Sequence, residues 1–169
     1  MATADTTRLR NFIGGELVEP AGGEREDVIN PATREVIASA PLSSEEDVDR
    51  AVAAAKGAFE TWGATTPAER SAALLKLADR IEENADEIAD IESANAGKPR
   101  QAFLEDEVPA MADQLRFFAG ACRVMEGKAA GEYLEGYTSI VRREPIGVIS
   151  ARRWPRATPS CSSRRRPRR

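Results

Sequence analysis

The stretch Thr66-Pro67-Ala68-Glu69-Arg70-Ser71-Ala72-Ala73-Leu74-Leu75-Lys76-Leu77-Ala78-Asp79-Arg80-Ile81 decides the fold class, because it carries both a helix start and a buried stripe. Thr66 supplies an N-cap hydroxyl, Pro67 takes the first helical position and Glu69 the third. Leu74, Leu77, Ala78 and Ile81 then recur at helical spacing. The same grammar continues on either side. Ser43 with Glu46 three residues on reads as a capping box, and Val48, Val52, Ala55, Phe59 and Trp62 predict an amphipathic helix over about 44 to 62. After Asn84, a third helix is expected to turn Ile88 and Ile91 inward and to stop at Gly97-Lys98-Pro99. Leu104, Val108, Met111, Leu115, Phe118, Cys122 and Met125 form a long fourth stripe, with Pro109 as either a kink or a late start.

Strands frame these helices. Asn11 to Val18 places short apolar pieces around Gly14-Gly15, and Val28-Ile29 is separated from Val36-Ile37 by a second turn at Asn30-Pro31-Ala32-Thr33. Gly127 to Gly136 breaks helicity, and Tyr137 to Arg143 is rich in β-branched residues, so an exit strand is expected there.

Composition narrows the function classes. The 169 residues suffice for one modest domain or a piece of a larger one. There is no His, which removes the commonest general base and metal-ligating imidazole. Neither Cys122 nor Cys161 has CxxC spacing, and no apolar run of transmembrane length or leader-like start is seen, so a reduced cytoplasmic setting is expected. Dinucleotide-type GxGxxG and phosphate-type GxxxxGK loops are missing from the sequence, as is a His-paired nucleophile. Cys122 reads as a small core residue on a helical stripe. Arg142-Arg143-Glu144 reads as a solvated strand end rather than a phosphate site.

More comes from particular strings in their order. Asn11-Phe12-Ile13-Gly14-Gly15-Glu16, Ile29-Asn30-Pro31-Ala32-Thr33, Asp47 to Val52 leading to Ala58-Phe59-Glu60-Thr61-Trp62, Pro67-Ala68-Glu69-Arg70, Gly97-Lys98-Pro99, Arg116-Phe117-Phe118-Ala119-Gly120 and Arg143-Glu144-Pro145-Ile146-Gly147-Val148 together resemble the opening of an NAD(P)-dependent aldehyde dehydrogenase. The resemblance covers residues 9 to 149. Ala119-Gly120-Ala121, Glu126-Gly127 and Gly131 to Gly136 look most like the enzymes acting on aminoaldehydes, with the betaine aldehyde enzymes close by.

The resemblance implies an α/β fold in which residues 1–149 are the helical N-terminal portion of the NAD-binding domain, with short β arms of the kind that pair across subunits in a homo-oligomer. It implies NAD as cofactor and an aldehyde as substrate. A Cys thiolate attacks the aldehyde, hydride leaves to NAD+, and a Glu-activated water hydrolyses the thioester. In the family, these groups lie beyond the Gly147-Val148 string, so no catalytic or cofactor-binding residue is placed in this chain, and a chain of this extent is expected to be catalytically incompetent. One site transfers, a monovalent cation held by backbone oxygens at Val28 and Ile29 and by the carboxylate of Glu107. Glu107 also lies in the acidic run Glu105-Asp106-Glu107, where a solvated face is the alternative.

From Arg152 onward the polymer changes. Residues 150–169 read as a disordered basic tail with eight Arg and no acid, leaving 16 basic against 28 acidic side chains in the rest. Three readings stand: an out-of-frame translation that truncates the gene, another assembly or splicing origin, and a selected polyanion-binding arm. The first is favoured because codons that encode Thr158-Pro159-Ser160-Cys161-Ser162 can be chosen to read Tyr-Pro-Leu-Met-Leu in another frame, close to the family's continuation. On all three readings the charge density alone predicts weak binding to heparin or DNA. Affinity measured across a salt series should fall steeply, show no sequence preference and vanish when residues 152–169 are removed.

Overall fold

The computed structural model describes residues 7–151, so Cys161 and the tail readings for residues 152–169 lie outside the described residues. In chain order the elements are β1 (Thr7–Arg8), β2 (Asn11–Ile13), β3 (Glu16–Val18), β4 (Arg25–Ile29), β5 (Val36–Pro41), α1 (Glu45–Trp62), α2 (Pro67–Glu83), α3 (Ala85–Ala96), α4 (Arg100–Ala102), a π turn (Phe103–Glu107), α5 (Val108–Arg123), β6 (Lys128–Leu134) and β7 (Tyr137–Val141).

Both expected N-terminal hairpins are present. β2 and β3 pair antiparallel around Gly14 and Gly15, whose φ values of 63° and 91° suit a two-residue turn that follows strand twist. β4 pairs antiparallel with β5, and the Asn30 side chain closes their turn by accepting from the N–H groups of Ala32 and Thr33 at 2.9 and 3.3 Å. β1, which has no sequence signal of its own, adds to β5 in parallel. Arg25 locks that three-stranded sheet, donating to the Ser39 hydroxyl at 3.1 Å, to the Ser39 carbonyl at 2.7 Å and to the Leu9 carbonyl.

The first helix starts one residue later than the Ser43/Glu46 reading. Ser44 is the N-cap, and Asp47 answers it, accepting from the Ser44 N–H and hydroxyl at 3.0 Å each. Asp47 wins over Glu46 because its carboxylate also receives the Ala21 N–H, at 3.1 Å to each oxygen, tying the loop after β3 to the helix. It is only 2 % exposed. These donors, the Ser44 N–H foremost, hold its carboxyl below the ordinary Asp value of 3.8 against the opposing effect of burial. A depressed folded-state value means the stabilisation is present above that ordinary value and lost as pH falls through the lowered one. Thr66 and Glu69 form the capping box that the sequence predicts, with 2.7 Å from the Thr66 N–H to the Glu69 carboxylate.

α3 ends at Gly97, whose φ of 71° is left-handed and whose missing Cβ would lie 2.8 Å from Pro31 Cγ. Glycine is thus required there twice over. Ile88 is half-buried as expected, but Ile91 is 62 % exposed. The short helix packs only through the face centred on Ala85, Ile88 and Ala89, which leaves Ile91 at its edge. Pro109 takes the late-start position, in the first turn of α5, which begins at Val108. The start is not a free one, because a widened turn runs straight into it, with the Val108 N–H bonding the Phe103 carbonyl five residues back. Residues 127 to 136 are not irregular either. β6 occupies most of that span and pairs antiparallel with β7, which ends at Val141 rather than Arg143.

The helical core is a seam between α2 and α5, joined to a cluster of Ala89, Phe103 and Val108. Five of the seven buried apolar residues among the described residues are alanines, including Ala78, Ala112 and Ala119 in the seam. Arg116 crosses the seam's rim, donating to Glu82 at 2.6 and 2.7 Å and to Asp79 at 2.9 Å. The stripe of α1 is much less covered, with Val48 and Trp62 exposed. No helix among the described residues is long and apolar enough to cross a membrane.

The shifted cap gives a direct test. Ser44→Ala should cost about 1 kcal/mol, whereas Ser43→Ala should stay within about 0.5 kcal/mol. Urea unfolding of the two variants separates these assignments.

Candidate functional site

Val28 and Ile29 lie at the end of β4, where the pairing with β5 shifts register. Both residues keep partners across the shift, Val28 opposite Ala38 and Ile29 opposite Val36, and the extra residue of the bulge is Ile37 on β5. Glu107 is the last residue of the π turn. The described contacts do not pack β4 broadly on that turn; the nearest link between them is the Gly97-Lys98-Pro99 loop. Gly97 abuts Pro31, and Asn30 and Lys98 line one cleft with Asp90 and Ser93. From that loop the Lys98 ammonium donates to the Glu107 carboxylate, while also standing 5.6 Å from the centre of the Phe103 ring.

Of the three sequence-expected cation ligands, Glu107 has a side-chain partner. It is paired with Lys98 while its side chain stays 45 % exposed, and that counter-charge is a side chain that the sequence reading treated only as part of a helix stop. Among the described residues no group of three or more His, Cys, Asp or Glu is placed to hold a metal ion. The carboxylate that a free monovalent cation would use already has a counter-charge in Lys98.

A dinucleotide's pyrophosphate is readily held at an unfilled helix N-terminus or a glycine-rich turn. Here the first turn of α1 carries Glu45, Glu46 and Asp47, that of α2 carries Glu69, and that of α3 carries Asp86 and Glu87. These three positive helix ends already face their own carboxylates, whereas α5 has no acid in its first turn. Cys122 is free and half-buried near the end of α5. Arg142 pairs with Glu144 at 3.3 Å and Arg143 donates to the Glu126 carbonyl at 3.1 Å, both in solvated settings.

An apolar groove of about 610 Å³ opens beside the seam, lined mainly by Leu77, Ile81, Met111, Leu115 and Phe118. Leu77 is 48 % exposed and Phe118 55 %. The stripes that define it were legible in the sequence; that α2 and α5 present them side by side was not.

Comparison with known proteins follows the same chain closely. The model of the aldehyde dehydrogenase family matches residues 17–151. An acetaldehyde dehydrogenase of Pseudomonas aeruginosa is 41 % identical over 142 residues, which are 84 % of this chain and 28 % of that protein. A malonate-semialdehyde dehydrogenase of Halalkalibacterium halodurans is also 41 % identical, over 84 % of this chain and 29 % of its own length. The NAD+ complex of an aldehyde dehydrogenase from Bacillus cereus superposes with a TM-score of 0.76 at 38 % identity, covering 82 % of this chain and 28 % of that one. The chain thus spans less than a third of the length of these relatives.

The groove should bind a hydrophobic dye. Phe118→Ser should reduce dye fluorescence several-fold while leaving the thermal midpoint within a few degrees of the parent, since a half-exposed ring contributes little to the core.

Proposed function

The chain belongs to the aldehyde dehydrogenase family, and on that premise we propose that it is the opening of an enzyme that oxidises an aldehyde to the carboxylate with NAD. The reading rests above all on the match over residues 17–151, together with a fold shared at 38 % identity with a protein solved in complex with NAD+. The described residues serve as scaffold. Asp47 fixes the entry of α1, Arg116 holds α2 to α5, and the groove and the hairpin present faces on which further structure can build.

We infer that the chain by itself is inactive, a reading supported by the want of an activated nucleophile, an oxyanion donor and a dinucleotide site among the described side chains. The substrate class is an aldehyde, and within it an aminoaldehyde, on the strength of Ala119-Gly120-Ala121, Glu126-Gly127 and Gly131 to Gly136. These residues lie at the end of α5 and around β6, and none of them lines the groove or the cleft, so they report kinship rather than substrate contact.

A second reading concerns association. Every residue of β7 is exposed, and β6 and β7 pair broadly only with each other. A lone two-stranded ribbon is marginal in water, and its open edges suit pairing with another subunit's sheet, as a homo-oligomer would provide.

The purified chain should show no NAD-dependent oxidation of 4-aminobutyraldehyde, betaine aldehyde or acetaldehyde above a buffer blank, and calorimetry should detect no NAD binding. The locus read in the alternative frame after Ser150 should encode the family's Asn, Glu and Cys motifs, and the frame-restored product should oxidise aldehydes. Turnover by the chain alone would overturn the scaffold assignment. An inactive frame-restored product would overturn the enzymatic one.

A further inference from the structure

We propose that the Lys98 ammonium is the resident counter-cation of Glu107, so that this chain fills from within the place that kinship assigns to a free monovalent cation and takes up none. The inference concerns a charge site in the scaffold and stands whether or not the intact enzyme is active.

Three features hold the ammonium in place. Gly97 turns left-handed and packs on Pro31, which fixes where the loop leaves α3. Pro99 follows, removing backbone freedom on the other side of Lys98. The side chain then has two attractive neighbours, the Glu107 carboxylate and the face of Phe103, a ring that is almost wholly buried. Lys98 and Glu107 are both partly shielded from water, where opposite charges attract more strongly than on an open surface.

Val28 and Ile29 end β4 and lead directly into the Asn30 turn, and Asn30 shares a cleft with Lys98. A potassium ion drawn to Glu107 would meet the ammonium already bound there. The two cations compete for one carboxylate, and the tethered one is present at high effective concentration.

The test is the thermal midpoint of the full chain in potassium chloride against choline chloride at equal ionic strength. The parent should show no difference, and Lys98→Arg, which keeps the charge, should behave the same way. Lys98→Gln leaves Glu107 without a counter-charge and should gain a saturable potassium-dependent rise on the order of 2–4 °C. Saturable stabilisation of the parent by potassium would overturn the proposal, as would a folded Lys98→Gln that ignores potassium. Should Lys98→Gln not fold, acylation of the parent by an amine-reactive ester decides. Lys98 should react several-fold more slowly than the exposed Lys56 and Lys76, equally in both salts. Deprotection of Lys98 by potassium, or reactivity equal to that of Lys56, would refute it.

Discussion

The close approach of α2 and α5 is the constraint on which the helical half depends. Ala78, Ala112 and Ala119 are fully buried between them, and only side chains this small let two helix backbones come so near. The consequence is a division of labour between helix faces. The seam carries methyl groups and dispersion contacts, while the bulkier Leu77, Ile81, Met111, Leu115 and Phe118 flank it on one side, where they line the groove and where Ile81 and Met111 also pack on the cluster of Ala89, Phe103 and Val108. Arg116 closes the rim by bonding two carboxylates of α2, which holds Glu82 in its charged form below the usual carboxylate range. Stabilisation is thus concentrated along one line, and much of the apolar surface is left for neighbours.

The β half is organised differently, by polar groups rather than by packing. Arg25 ties β4 to β5 and reaches the residue after β1, and Asp47 gathers three donors from two chain segments. In both cases a single charged side chain replaces hydrophobic contacts that such short strands cannot make. The only large buried apolar residues among the described residues, Phe103 and Val108, sit at either end of the π turn. That turn also ends in Glu107, so the widened helical geometry serves to bury a ring, to pass Pro109 and to present a carboxylate to Lys98.

What was legible in the sequence was local. Thr66 and Glu69 are three residues apart and make their bonds without outside help, and the Gly97 stop follows from a single residue's conformational freedom. The start of α1 was misread by one residue because two overlapping boxes compete there, and the winner is chosen by Ala21, far away in sequence. β6 was missed since Lys-Ala-Ala-Gly has no strand propensity of its own and is ordered by pairing with β7. Ile91 was misplaced because periodicity shows that a helix has an apolar face and not how wide the covering neighbour is. At the candidate site, Val28, Ile29 and Glu107 came only through kinship. Lys98 lies nine residues from Glu107 across a loop and a change of helical type, beyond the reach of any fixed spacing rule.

The alanine seam also limits how this chain can change. A larger side chain at Ala78, Ala112 or Ala119 would force the helices apart at a cost of about 1–3 kcal/mol each, whereas the outer positions of the groove accept many shapes. Substitutions that accumulate by drift, or under selection for solubility in the laboratory, should therefore collect on one side of each helix and be nearly missing from the other. The pair of helices would keep its spacing while its exterior was rewritten, making the seam the slowest-evolving line in the molecule.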